Sequence, residues 1–225
     1  MEQTTAELLS RRIHIAKAVL VREEYEMILL QGLMSGPIKD ELIFKGGTAL
    51  RLAYASPRFS EDLDFSLTKK IKQEVFAKSI QGIVEVLPTV KIADLSEKYY
   101  THFALLKIRE PYLKQAFSIK VEISKRPVSW KLGKDYVSRT CKSEVVPLTA
   151  VSYVVTLERV FADKQKAAIE RDKARDLFDL WWLGKQLNKE ISIKLTPKKL
   201  ARTRAEINQF LPEHMRSLVD TWRKP

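Results

Sequence analysis

From Thr4 or Thr5, either of which can cap a helix, apolar residues recur at helical spacing through Leu8, Leu9, Ile13, Ala16, Leu20, Met27 and Leu30. Gly32 and Gly36-Pro37 stop the pattern, so one long helix or two short ones open the chain. Leu42-Ile43-Phe44 is too short for a helix and predicts a strand. It leads through Lys45-Gly46-Gly47-Thr48 into Ala49-Leu50-Arg51-Leu52-Ala53, which reads as helix, with Pro57 as its stop. Asp62-Leu63-Asp64-Phe65-Ser66-Leu67 then alternates with period two. A half-buried strand does this, and it puts Asp62, Asp64 and Ser66 on one face.

Residues 69–87 are helical in pattern, and Val90, Ile92 and Leu95 alternate in a further strand. Phe103, Leu105 and Lys107 mark another strand. In Phe117–Ile123, Ile119, Val121 and Ile123 oppose Lys120 and Glu122. Beyond Pro147 the pattern changes to helices. Leu157, Val160, Phe161, Lys164 and Ala168 mark one, Leu177, Leu180, Trp181 and Leu187 a second, and Pro197 and Pro212 sit near the starts of two short ones. The order of elements predicts an α+β fold with a boundary near residue 148, dividing the chain into 1–147 and 148–225.

Composition narrows the class. A single cysteine, Cys141, excludes an intramolecular disulfide framework and a multi-cysteine zinc site, and suits a reducing compartment. No stretch approaches the roughly 20 apolar residues that span a bilayer, and the start carries no secretion signal, so a cytoplasmic protein without membrane attachment is expected. Forty Lys and Arg against 28 Asp and Glu give a formal charge of +12, which attracts polyanions. Residues 120–142 carry seven basic and two acidic side chains, and residues 185–225 ten and four. Nucleic acid is the leading partner on this count, although a solvated lysine surface has the same composition.

The chemistry starts with Asp62 and Asp64. Same-face neighbours on a strand lie roughly 6.5–7 Å apart, close enough for two carboxylates to share a cation. Magnesium takes hard oxygen ligands from one or two carboxylates and from substrate phosphates. The same pattern also describes an amphipathic strand wetting two acids. Gly46-Gly47-Thr48 adds a second part, because glycines between a strand and a helix let the backbone approach a ligand, and the helix start offers free N–H groups to phosphate. An anion cradle beside a cation site is what phosphoryl or nucleotidyl transfer requires.

Lys45-Gly46-Gly47-Thr48-Ala49-Leu50, followed by Arg58-Phe59-Ser60-Glu61-Asp62-Leu63-Asp64-Phe65, resembles the AbiEii-type toxins of the polymerase-beta-like nucleotidyltransferase superfamily. Ala162-Asp163-Lys164, Arg171, Arg175-Asp176-Leu177 and Asp179-Leu180 are similar to that family's carboxy-terminal helical motif. The resemblance implies a mixed sheet flanked by helices, a helical carboxy-terminal domain, an NTP substrate, and Mg²⁺ or Mn²⁺ as cofactor. By position it implies that Gly46, Gly47 and Thr48 cradle the outer phosphates and that Asp62, Asp64 and Glu122 form the catalytic, metal-holding triad. Glu stands at the third position, where the family often has Asp. The resemblance further implies an RNA acceptor, such as the 3′ end of tRNA, a separately encoded antitoxin, and a role in phage defence. Transfer to a protein or small-molecule hydroxyl, or NTP sensing without turnover, are the rival functions.

If one helix, or two nearly collinear ones, ran through the carboxy-terminal motif, Lys164, Arg171, Arg175 and Asp179 would share a face. Lys164 with Arg171 or Arg175 would then neutralise triphosphate charge, with Asp176 and Asp179 orienting these bases. An ordinary ion-pair ladder fits the same spacing. Arg58 is either a phosphate ligand or an anchor for the aspartate strand. His14, His102 and His214 lack ligand spacing. The tryptophans are read as packing residues, Trp181 on the apolar side of its helix, with Trp182 and Trp130 as candidates for stacking on a base.

Overall fold

The computed structural model describes residues 1–171 and 173–223. The amino-terminal pattern resolves into two helices, α1 (Gln3–Ile13) and α2 (Lys17–Ser35), because His14 closes the first in the left-handed conformation (φ 54°). Helix α2 buries residues all round its circumference, among them Leu20, Tyr25, Met27 and Leu30, and so runs through the core. Strand β1 (Leu42–Lys45), helix α3 (Gly46–Tyr54) and strand β2 (Asp62–Leu67) follow as the sequence pattern expects. Helix α3 ends at Tyr54, before Pro57, on Ala55 in the left-handed conformation. A buried ion pair, Arg51 Nε to Glu23 Oε2 at 2.8 Å, ties α3 to α2.

Helix α4 (Gln73–Glu85) leads to β3 (Val90–Lys98), β4 (Thr101–Ile108), β5 (Phe117–Ser124), β6 (Tyr136–Lys142) and β7 (Thr149–Val155). The described residues form a seven-stranded mixed sheet in the order β3-β4-β5-β2-β1-β7-β6. Strand β2 runs parallel to β5 and β1 parallel to β7, while the remaining neighbours are antiparallel. On β4 the core side is Ala104, Leu106 and Ile108, not Phe103 and Leu105, which face the other way. Both faces of that strand carry apolar residues, so alternation alone does not choose between them.

The switch to helices expected at residue 148 falls at Leu157. Strand β7 intervenes and hydrogen-bonds to β1, so the sheet extends past the expected boundary. Its burial alternates at first, but an exposed position carries Val151 and a buried one Ser152, so the sequence lacks the apolar-polar alternation that identifies strands. Helices α5 (Leu157–Arg171), α6 (Ala174–Gln186), α7 (Pro197–Ile207) and α8 (Glu213–Arg216) complete the chain. Two apolar clusters result. One packs α1, α2 and α4 against Leu63, Phe65, Val121 and Ile123, and the other gathers α5, α6 and α7 around Ile43, Leu50 and Val155. The second cluster therefore covers the opposite face of the sheet at β1 and β7. No helix among the described residues is long and apolar enough to cross a membrane.

Candidate active site

Parallel pairing sets Asp62 opposite Lys120 and Asp64 opposite Glu122, while Lys45 at the end of β1 pairs with Asp64. Lys45, Asp64 and Glu122 thus form a row across three strands spaced about 4.8 Å apart. Leu63 and Val121, fully buried on the reverse face, hold this register, since a one-residue slip would exchange the faces. Asp62, Asp64 and Glu122 therefore share one face of β2 and β5 and line the same cleft.

The glycine turn meets this row directly. Gly46 has φ +84°, and a Cβ there would lie 2.4 Å from Asp64 Oδ2; a Cβ on Gly47 would lie 2.4 Å from Arg58 Nη2 and 2.7 Å from Ser60 Oγ. Only hydrogen fits at either position, and the first amides of α3 consequently sit beside the carboxylates. Gly46→Ala is expected to destabilise the fold by more than about 1 kcal/mol and to displace Asp64. A lowered thermal midpoint together with weakened NTP binding checks this. Thr48 does not present its side chain to a ligand: it is buried and its hydroxyl donates to the Asp62 carbonyl, locking α3 to β2.

The carboxy-terminal motif is a hairpin, not a continuous face. Lys164 Nζ lies 2.6 Å from Asp179 Oδ2 and 2.7 Å from Asp176 Oδ1. Fifteen positions along a straight helix would separate these residues by about 22 Å, so α6 folds back on α5. Arg58 donates to both Asp179 oxygens, from Nε at 2.8 Å and Nη2 at 2.9 Å, and from Nη1 to the Phe59 carbonyl. Arg58 is therefore an anchor between the loop before β2 and α6, with its guanidinium against Gly47. Arg171 and Arg175 are exposed and line the cleft between the sheet and the helices.

That cleft has a volume of about 550 Å³. At its floor the Asp64 carboxyl is pushed up to about 6 by burial and by the neighbouring charges of Asp62 and Glu122, against the pull of Lys45. Burial in turn lowers Lys45. Asp179 behaves oppositely. Burial would raise it, but Arg58 and Lys164 together hold it at about 2. Three acids on one face of two adjacent strands, one of them resisting ionisation, fit a divalent cation, which would relieve their repulsion. Among the described residues no group of three or more Asp, Glu, His or Cys side chains is arranged to hold a metal ion by itself. An open carboxylate edge suits magnesium, whose remaining ligands come from phosphate and water.

The raised Asp64 makes the stability of the fold depend on pH. Its folded pKa lies above the unfolded value near 3.9, so its contribution to stability is complete below about pH 4 and is lost as pH rises through about 6. In chelator, Asp64→Asn is expected to match the wild-type thermal midpoint at pH 4 and to exceed it by a few degrees at pH 8. Melting curves at both pH values check this.

Lys45, Ser60, Lys120, Arg126 and Asp163 also line the cleft, though the sequence did not single them out as ligands. Lys120 Nζ lies 3.2 Å from Asp62 Oδ2. The signal for Lys120 was present, since it shares the polar face of its strand with Glu122. Trp182 is the more buried of the tryptophan pair, reversing the expected face, and Arg159 lies over the Trp130 ring at 5.2 Å.

The sequence profile described as nucleotidyl transferase AbiEii toxin, type IV TA system, matches residues 28–221. No curated protein matches the chain. Among solved structures, JHP933 from Helicobacter pylori is similar in fold, with a TM-score of 0.59 and 22% identity over 91% of this chain and 89% of that one. MenT4, a nucleotidyltransferase toxin from Mycobacterium tuberculosis H37Rv, gives a TM-score of 0.59 and 21% identity over 88% and 67%. With the profile spanning most of its length, the chain belongs to the AbiEii nucleotidyl transferase toxin family of type IV toxin-antitoxin systems and is a nucleotidyltransferase.

Proposed function

We propose that this enzyme transfers the nucleoside monophosphate of an NTP to the 3′ hydroxyl of an RNA such as tRNA and releases pyrophosphate. The observation that carries this is the contact between the glycine turn and the acids, with Gly46 directly against Asp64. In this reading the amides of Gly46 and Gly47 hold the outer phosphates, and Asp62, Asp64 and Glu122 hold Mg²⁺ or Mn²⁺. The bound cation would polarise the α-phosphate and favour ionisation of the attacking hydroxyl.

The chain's own groups then have distinct tasks. Glu122 either holds the cation beside the acceptor hydroxyl or takes its proton, and the hydroxyl oxygen bonds to the α-phosphorus as the bond to the bridging oxygen breaks. The departing pyrophosphate carries that electron pair, and its charge is met by the α3 amides and by Lys164, Arg171 and Arg175 across the cleft. Asp176 and Asp179 keep Lys164 aimed, and Arg58 keeps α6 in register with the glycine turn. The family implies a separate antitoxin; the site of action would be the cytoplasm, where NTP and RNA are both available.

The test is incubation of the purified chain with Mg²⁺, each α-labelled NTP, total RNA and lysate protein. Label in the RNA fraction supports the proposal. Label confined to protein or to a small molecule redirects the acceptor, and tight NTP binding without transfer indicates a sensor.

A further inference from the structure

Beyond the cleft, the sheet continues through β5, β4 and β3. One face of this half packs Ala104, Leu106 and Ile108 into the core, while Phe76 of α4 lies against His102. The other face is continuous with Asp62 and Glu122, and Lys107, Ser118 and Lys120 stand exposed on it, with Asp94 opposite Leu105 as the acid of its outer edge. Lys91 and Lys107 are register partners on that face. Like charges directly opposite in an antiparallel pair destabilise the sheet, and an anion lying across them would reverse the effect.

The β3–β4 turn, at the end of this face nearest Arg126, presents an exposed aromatic pair. Tyr99 is 84% and Tyr100 50% exposed, and their rings meet edge-on at 4.4 Å. The Arg126 guanidinium, which also lines the cleft, lies 4.7 Å from the centre of the Tyr100 ring. The turn is held to the sheet, since the Lys125 amide donates to the Tyr100 carbonyl at 2.8 Å. Lys107 pairs with Ser118 and Thr101 with Ser124, so lysines and tyrosines bound a platform roughly 20 Å long.

We infer that this platform docks the single-stranded 3′ segment of the RNA acceptor, with phosphates along Lys91, Lys107 and Lys120 and unpaired bases on Tyr99 and Tyr100. The inference rests on the RNA-acceptor proposal and specifies how that acceptor is held. Lysines at one end of the face and an exposed ring pair with Arg126 at the other match a strand whose charge repeats and whose bases offer a π-face at each nucleotide. An acidic protein would engage the lysines but has no counterpart for the ring pair, and a duplex hides the faces of its bases.

The test measures binding of a fluorescent single-stranded RNA oligonucleotide and of a blunt RNA duplex to the full chain without NTP, by anisotropy across a salt series. Tyr99→Ala/Tyr100→Ala is expected to weaken single-strand binding about tenfold or more and to leave duplex binding unchanged. Lys91→Gln/Lys107→Gln is expected to reduce the slope of log affinity against log salt by about 1.4. NTP binding stays at the wild-type level in both, since all four residues lie outside the cleft lining. Wild-type chain that binds no single strand, variants that bind it unchanged, or an equal loss by the tyrosine variant toward polyglutamate would overturn the inference. Intact oligonucleotide binding with no label transfer to RNA would count against the acceptor proposal and leave the docking surface standing.

Discussion

Asp64→Asn is expected to lower the transfer rate on the order of a thousand-fold or more while the chain stays folded. Asp64 sits at the centre of the Lys45, Asp64, Glu122 row and against Gly46, so its carboxylate is the group best placed to serve both acceptor and triphosphate. Asparagine keeps the shape and one carbonyl oxygen but cannot supply the charge. The fold does not depend on that charge, because an ionised Asp64 is already disfavoured by burial and by Asp62. Single-turnover rates with Mg²⁺, with circular dichroism as the control for folding, check the outcome. Near-wild-type turnover would show that the chemistry lies elsewhere.

The second large effect falls on stability. Arg58→Ala is expected to cost about 3–5 kcal/mol, because it strands Asp179 in the interior with only Lys164 to answer its charge. Asp179 is fully buried and Arg58 is 3% exposed, so water does not replace the lost partner. The urea midpoint measures this loss. Asp179 has a folded pKa of about 2, below the usual carboxylate value, so its stabilisation is complete above about pH 4 and fades as pH falls toward 2. Acid titration of Arg58→Ala is expected to be flatter over that window than that of the wild type.

The site was legible where sequence pattern and chemistry coincide. Period-two alternation placed Asp62 and Asp64 on one face and Glu122 on another strand's polar face, and the parallel register of β2 and β5 makes those faces one. Gly46 and Gly47 were legible because a glycine pair between strand and helix implies a close approach, which Asp64 and Arg58 make. Thr48 was misread because a hydroxyl's direction depends on the tertiary partner it finds, here the Asp62 carbonyl. The α5–α6 reversal was missed because the residues on both sides of it remain helical in pattern. Intervals of seven and four then simulate a single stripe. Strand β7 escaped for a related reason, since exposed Val151 and buried Ser152 blur its alternation and its partner, β1, lies a hundred residues or so earlier in the chain.

The most direct measurement is a crystal structure of the chain soaked with Mn²⁺ and a non-hydrolysable NTP analogue, with the cation located by its anomalous signal. Manganese bound by Asp62 and Asp64, with the triphosphate on the Gly46 and Gly47 amides, is the expected result. Manganese away from both carboxylates, or a triphosphate lodged apart from the glycine turn, would contradict the proposed site.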